Sequence, residues 1–179
     1  MATAITRLSP KATYVDRGYG QVEPNHLSAQ VNGKIYAQLP LSEDIAVLEN
    51  GMFAKYNYAE NKVDFAGEGE WMLVYNTIKL YEDDLGDHDY AMKNNTYDEK
   101  APVVPATTTV VPRLFKTDIG DIFTTNTIIA DSLEVGAELA PGTDGYLTTA
   151  GEDATMKWVV VKVYTMPDGQ KGVKIMRVA

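Results

Sequence analysis

The chain contains no cysteine. Disulfides, thiol nucleophiles and thiolate metal sites are therefore excluded, while the redox compartment stays open. It also lacks any apolar run approaching the roughly 18 residues that a membrane-spanning helix needs. The opening stretch, MATAITRLSPKATY, has no apolar signal core, so secretion by that route is not expected. No stretch reads as a long helix. Neither phosphate-cradling pattern, G-x-x-x-x-G-K-[ST] or G-x-G-x-x-G, is present. Gly67-Glu68-Gly69 has only a superficial likeness to one, and its glutamates would repel phosphate.

Positive charge is scarce in the middle of the chain. The net charge of the 179 residues is −9, spread as +2 over residues 1–40, −15 over 41–156 and +4 over 157–179. An acidic middle argues against nucleic-acid binding there, because such ligands need a basic footprint. The two basic ends suit an acidic partner or ordinary solvation.

What is present is strand material. The most legible stretch is the last, Met156 to Ala179, where two strand-like runs flank Pro167-Asp168-Gly169. Proline presets the first turn position, aspartate suits the second and glycine takes the left-handed third, which reads as a three-residue loop. That turn pairs Met166 with Gln170, Val163 with Val173, Val161 with Ile175 and Val159 with Arg177. One face then holds Val159, Val161, Val163, Val173 and Ile175 and is expected to be core. The other holds Trp158, Val160, Lys162, Tyr164, Lys174 and Met176, with Lys162 opposite Lys174. Too apolar for plain solvation and too charged for plain core, this second face is expected to be covered by a strand layer or offered to another subunit.

Upstream, Pro10, Gly18, Gly20 and Pro24 break any period over residues 1–30. These read as an irregular N-terminal arm, either loosely ordered or lying on another subunit with Arg7, Tyr14, Arg17 and Tyr19 as anchors, since tyrosine and arginine are enriched at interfaces. Residues 31–100 form a first β subdomain. It has a strand over Lys34–Leu39 and a meander over 45–66 folded at Asn50-Gly51, a strong hairpin signal that would pair Leu48 with Phe53. Trp71 to Tyr81 follows as a long strand or strand pair. Residues 101–112, with Pro102, Pro105 and Pro112, exclude helix and read as an extended connector. Residues 113–179 form a second β subdomain ending in the hairpin. The expected fold is all-β, with short antiparallel strands in a barrel or sandwich.

Chemistry is harder to find. Asp83, Asp84, Asp87, His88 and Asp89 cluster, but not with EF-hand spacing, and read as an acidic loop. No metal and no cofactor is expected. His26 and His88 are the only histidines. With no G-x-S-x-G elbow, neither marks a hydrolase triad. The acids offer many carboxylate pairs and nothing selects one. Asn94-Asn95-Thr96 matches a glycosylation sequon, discounted without a secretion signal. Trp71, Trp158 and the tyrosines could make a sugar-stacking platform, though such residues at strand spacing are more often core.

Asn25-His26-Leu27-Ser28-Ala29-Gln30, Ile35-Tyr36-Ala37-Gln38-Leu39-Pro40, Leu48-Glu49-Asn50-Gly51-Met52-Phe53 and Gly67-Glu68-Gly69-Glu70-Trp71-Met72-Leu73-Val74 resemble β-rich structural proteins of tailed bacteriophages. The nearest class is the small proteins that decorate or cement a capsid. The resemblance implies a non-enzymatic virion component, made in the host cytoplasm, that binds the major capsid protein and copies of itself as a homo-oligomer. It implies no nucleic-acid or membrane partner, and residues 1–30 are expected to dominate capsid binding. The runner-up is a carbohydrate-binding β-sandwich module of a phage fibre or cell surface. A hydrolase with unsigned carboxylates comes third.

Overall fold

A computed structural model describes residues 22–45, 47–76, 91–93, 111–130, 133–165 and 171–179, with Val47 and 91–93 described by backbone alone. In chain order the elements are β1 (Val22–His26), α1 (Ser28–Asn32), β2 (Ile35–Tyr36), β3 (Val47–Glu49), β4 (Phe53–Asn57), β5 (Lys62–Asp64), β6 (Met72–Val74), β7 (Ala91–Lys93), β8 (Leu114–Phe115), β9 (Ile122–Thr125), β10 (Glu138–Pro141), β11 (Leu147–Thr149), β12 (Trp158–Thr165) and β13 (Lys171–Arg177). The fold is all-β, as its strand-forming residue types dictate. A six-stranded antiparallel sheet runs β1-β9-β13-β12-β10-β11, a five-stranded one β2-β8-β6-β4-β5, and β3 pairs with β7. Neither large sheet closes into a barrel, and the arrangement is that of a sandwich.

Side-chain alternation explains the layering. Register aligns Ile35, Phe115, Leu73 and Phe53 in one row across the five-stranded sheet. This row faces Phe123, Ile175, Val160, Trp158 and Leu139 of the six-stranded sheet in one continuous core. Trp158 sits at its centre, with ring centroids 5.7 Å from Phe53 and 5.0 Å from Phe123. Its indole N–H meets no acceptor among the described residues. The alternate residues of the same strands, Ala54, Tyr56, Met72, Val74 and Leu114, face the other way. They form a second core with Leu41, Ile45, Leu48 and Met52. The five-stranded sheet is thus buried on both faces, which accounts for its near-continuous apolar runs.

Strands from both halves of the chain interleave. β8, from beyond residue 112, lies between β2 and β6, and β1 forms an edge of the C-terminal sheet. Of the expected connector, only Val111 and Pro112 fall among the described residues. Residues 22–30, the end of the expected arm, are strand and helix, with Leu27 and Ala29 fully buried.

Three expected pairings are corrected, one at Asn50-Gly51 and two in the terminal hairpin. Asn50-Gly51 does turn the chain: Met52 N–H donates to the Glu49 carbonyl and Gly51 has φ +90°. Yet no hairpin results. β3 pairs with β7, while β4 pairs with β5 and β6, so Leu48 and Phe53 are not partners. The side chain of Asn50 explains the diversion. It accepts from Asn76 N–H at 2.7 Å and donates back to the Asn76 carbonyl at 3.2 Å, tying the turn to the end of β6. The chain reversal expected over Tyr58–Asn61 is found, with Asn57 opposite Lys62 and Asn61 at φ +53°.

In the terminal hairpin Val163 faces Val173 and Lys162 faces Lys174, as the turn chemistry requires. Pro167-Asp168-Gly169 itself lies outside the described residues. Beyond Lys162 a β-bulge at Val161 advances the register, so that Val160 pairs with Ile175, Val159 with Met176 and Trp158 with Arg177. The extra residue exchanges the faces. On the Trp158 side of the bulge, Trp158 and Val160 are core and Val161 is exposed; Val163 keeps its expected place beside Val173 on the inner face, yet it too is exposed. Val159, expected in the core, is only half-buried.

Candidate binding face

The bulge leaves Lys162, Tyr164, Lys174 and Met176 on the outer face of the six-stranded sheet, away from the five-stranded one. Register places Lys162 beside Lys174, Lys174 beside Thr124 and Thr124 beside Glu23. Tyr164 is the cross-strand partner of Gly172, where no side chain stands in its way. Its phenol reaches back to donate to Glu23 Oε2 at 2.7 Å. The phenol oxygen also lies 2.9 Å from the Thr124 hydroxyl, which in turn donates to Asn25 Oδ1 at 2.9 Å. Burial is the largest influence on the phenol and pushes its pKa above the ordinary 10.0; the Thr124 hydroxyl opposes that shift and Glu23 adds to it. Lys162 and Lys174 place their ammonium groups 5.4 and 5.7 Å from the ring centroid. Tyr164 is therefore neutral, fixed and overlaid by cations.

A second polar cluster joins α1 to the loop before β9. The Ser28 hydroxyl lies 2.9 Å from Asp121 Oδ2 and 3.1 Å from Asp118 Oδ2, and Ser28 N–H donates to Asp121 Oδ1. Lys34 meets Asp118 at 2.6 Å. The hydrogen bond from Lys34, then that from Ser28, lowers the Asp118 pKa below 3.8. Arg177 donates to the carbonyl and hydroxyl of Thr117, and its own N–H donates to the Asp121 carbonyl. Each group is engaged in holding the chain. Among the described hydrogen bonds the Ser28 hydroxyl is held by two carboxylates and not by an imidazole.

No family model matches the chain, and neither a curated protein nor a solved structure is significantly similar to it.

The structure brings together few of the residues singled out in the sequence. Arg7, Tyr14, Arg17 and Tyr19 lie outside the described residues, as do Asp83–Asp89 with His88, and Asn94. His26 ends β1 and is exposed. Among the described residues no three acidic or histidine side chains are grouped to hold a metal. Among the described residues the aromatic side chains do not form one platform. Trp158 is buried, Trp71 is overlaid by Lys55 at 4.5 Å, and Tyr58 projects from the β4–β5 turn edge-on to Tyr56. Glu23, Asn25 and Thr124 were not identifiable as partners of Tyr164 from sequence. No local spacing connects them, and only the order of strands in the sheet does.

Proposed function

We propose that the protein is a virion structural component that binds the outside of a phage capsid as a decoration or cement protein, assembled with copies of itself. The observation that carries this reading is the outer face of the terminal hairpin. Lys162 and Lys174 stand on this face, on strands β12 and β13 that carry no acidic residue, in a chain of net charge −9. The apolar and ringed neighbours on this face, Tyr164 and Met176, are half-buried rather than hidden. A cation-bearing sheet face on an otherwise acidic molecule suits docking onto acidic protein surface. The polar clusters elsewhere are spent on holding strands together. A repeating shell would let modest individual contacts act in concert.

The N-terminal residues Arg7, Tyr14, Arg17 and Tyr19 are proposed as further capsid contacts. Because residues 22–32 belong to the sandwich, the arm that tests this ends at residue 21. Occupancy on purified capsids should fall sharply when residues 1–21 are removed. Unchanged occupancy would remove the arm from the binding surface.

A further inference from the structure

Among the described residues, β12 has neighbours on both sides only at its beginning. β10 pairs with Trp158 and Val159, and Val160 exchanges backbone hydrogen bonds with Gly136 and Ala137 at 2.8 and 2.9 Å. From Val161 to Thr165 the strand is paired with β13 alone, and no described residue pairs with its other side. A strand with one open side offers backbone donors and acceptors to an added strand. Val161 and Val163 are 41% and 42% exposed along this length, and Val135, next to Gly136, is 70% exposed at its upper end.

We propose that the Val161–Thr165 edge receives an extended acidic segment of a partner protein, which joins the six-stranded sheet beside β12. Charge decides between occupants. Lys162 lies on the open length, and Lys171 and Lys174 on the strand behind it. A second copy docking edge to edge would bring these lysines against their own counterparts. A bulge and a lysine are the features by which edge strands resist their own kind. The same lysine attracts a strand of opposite sign. Alternation sets the guest sequence: Lys162 and Tyr164 lie on the outer face and Val163 on the inner one, beside Val173. The guest therefore alternates acidic with aliphatic residues. The inference holds for any partner with such a strand and does not depend on the capsid reading.

The test uses the full chain and two labelled, end-blocked seven-residue peptides, one alternating glutamate with valine and the other lysine with valine. Fluorescence anisotropy should show saturable, salt-sensitive binding of the acidic peptide only. Lys162→Glu should weaken that binding by about tenfold and create binding of the basic peptide, since a cross-strand attraction becomes a repulsion and the reverse. An unfolded variant could not show that specific gain. Absence of saturable binding by the acidic peptide, equal binding of both peptides, or a preference unchanged by Lys162→Glu would each overturn the proposal.

Discussion

Tyr164 and Glu23 are 141 residues apart in sequence and 2.7 Å apart in the sheet. The bond crosses β13 and β9 to reach β1, joining the last hairpin to the first described strand. A hydrogen bond to a carboxylate contributes about 1.5–3 kcal/mol when desolvated, and this pair is only partly buried. Tyr164→Phe should therefore cost about 1–2 kcal/mol in urea unfolding. Combined with Glu23→Gln, the loss should be less than additive, because each variant removes the same bond.

The same phenol makes an alkaline prediction. Its pKa is raised in the folded chain above 10.0, so folding favours the protonated form. That stabilisation is fully present below pH 10.0 and declines as pH rises through the higher folded value. Ultraviolet titration of Tyr164→Phe against the parent should remove a phenolate transition lying above pH 10.0.

On the acid side the sign is reversed. Lys34 and Ser28 hold Asp118 ionised below 3.8, so its contribution is present above that pH and is lost as pH falls through the lower folded value. Asp118→Asn should lower the melting temperature at neutral pH, and the gap from the parent should close below pH 3.8. A gap that persists at low pH would mean that the ion pair is not its cause.

Gly51 and Gly120 separate steric from backbone effects. Both have positive φ, +90° and +96°. A Cβ on Gly51 would collide with Thr125 Oγ1 and stand 2.8 Å from Thr127 Oγ1, whereas one on Gly120 meets nothing within 4 Å. Gly120→Ala should cost about 1 kcal/mol, from backbone strain alone. Gly51→Ala should cost about 3 kcal/mol, adding the displaced threonines. Chemical unfolding of the two variants checks the difference.

The all-β character was legible from β-branched and aromatic runs broken by turn residues. The hairpin pairs Val163–Val173 and Lys162–Lys174 followed from the turn chemistry. The bulge did not, because Val159-Val160-Val161 offers no alternation to show which valine faces inward. Asn50-Gly51 specifies a reversal but not which strands it joins; that depended on Asn76, 26 residues away. The Tyr164 network was illegible because the strand order creates it. The proposed arm residues and the Asp83–Asp89 cluster fall outside the described chain.

Trp158 tests the central packing. Trp158→Ala should cost about 3–5 kcal/mol by opening a cavity between Phe53 and Phe123. Trp158→Phe should cost distinctly less, since it also removes the indole N–H that meets no described acceptor. Calorimetric melting of both variants gives the comparison.

Capsid binding is tested most directly by cosedimentation of the purified full-length protein with capsids that lack it, over a range of protein concentrations. The proposed function predicts saturable binding at a fixed ratio to capsid subunits, weakened as salt screens the basic hairpin face. Protein that stays in the supernatant at every concentration would contradict it.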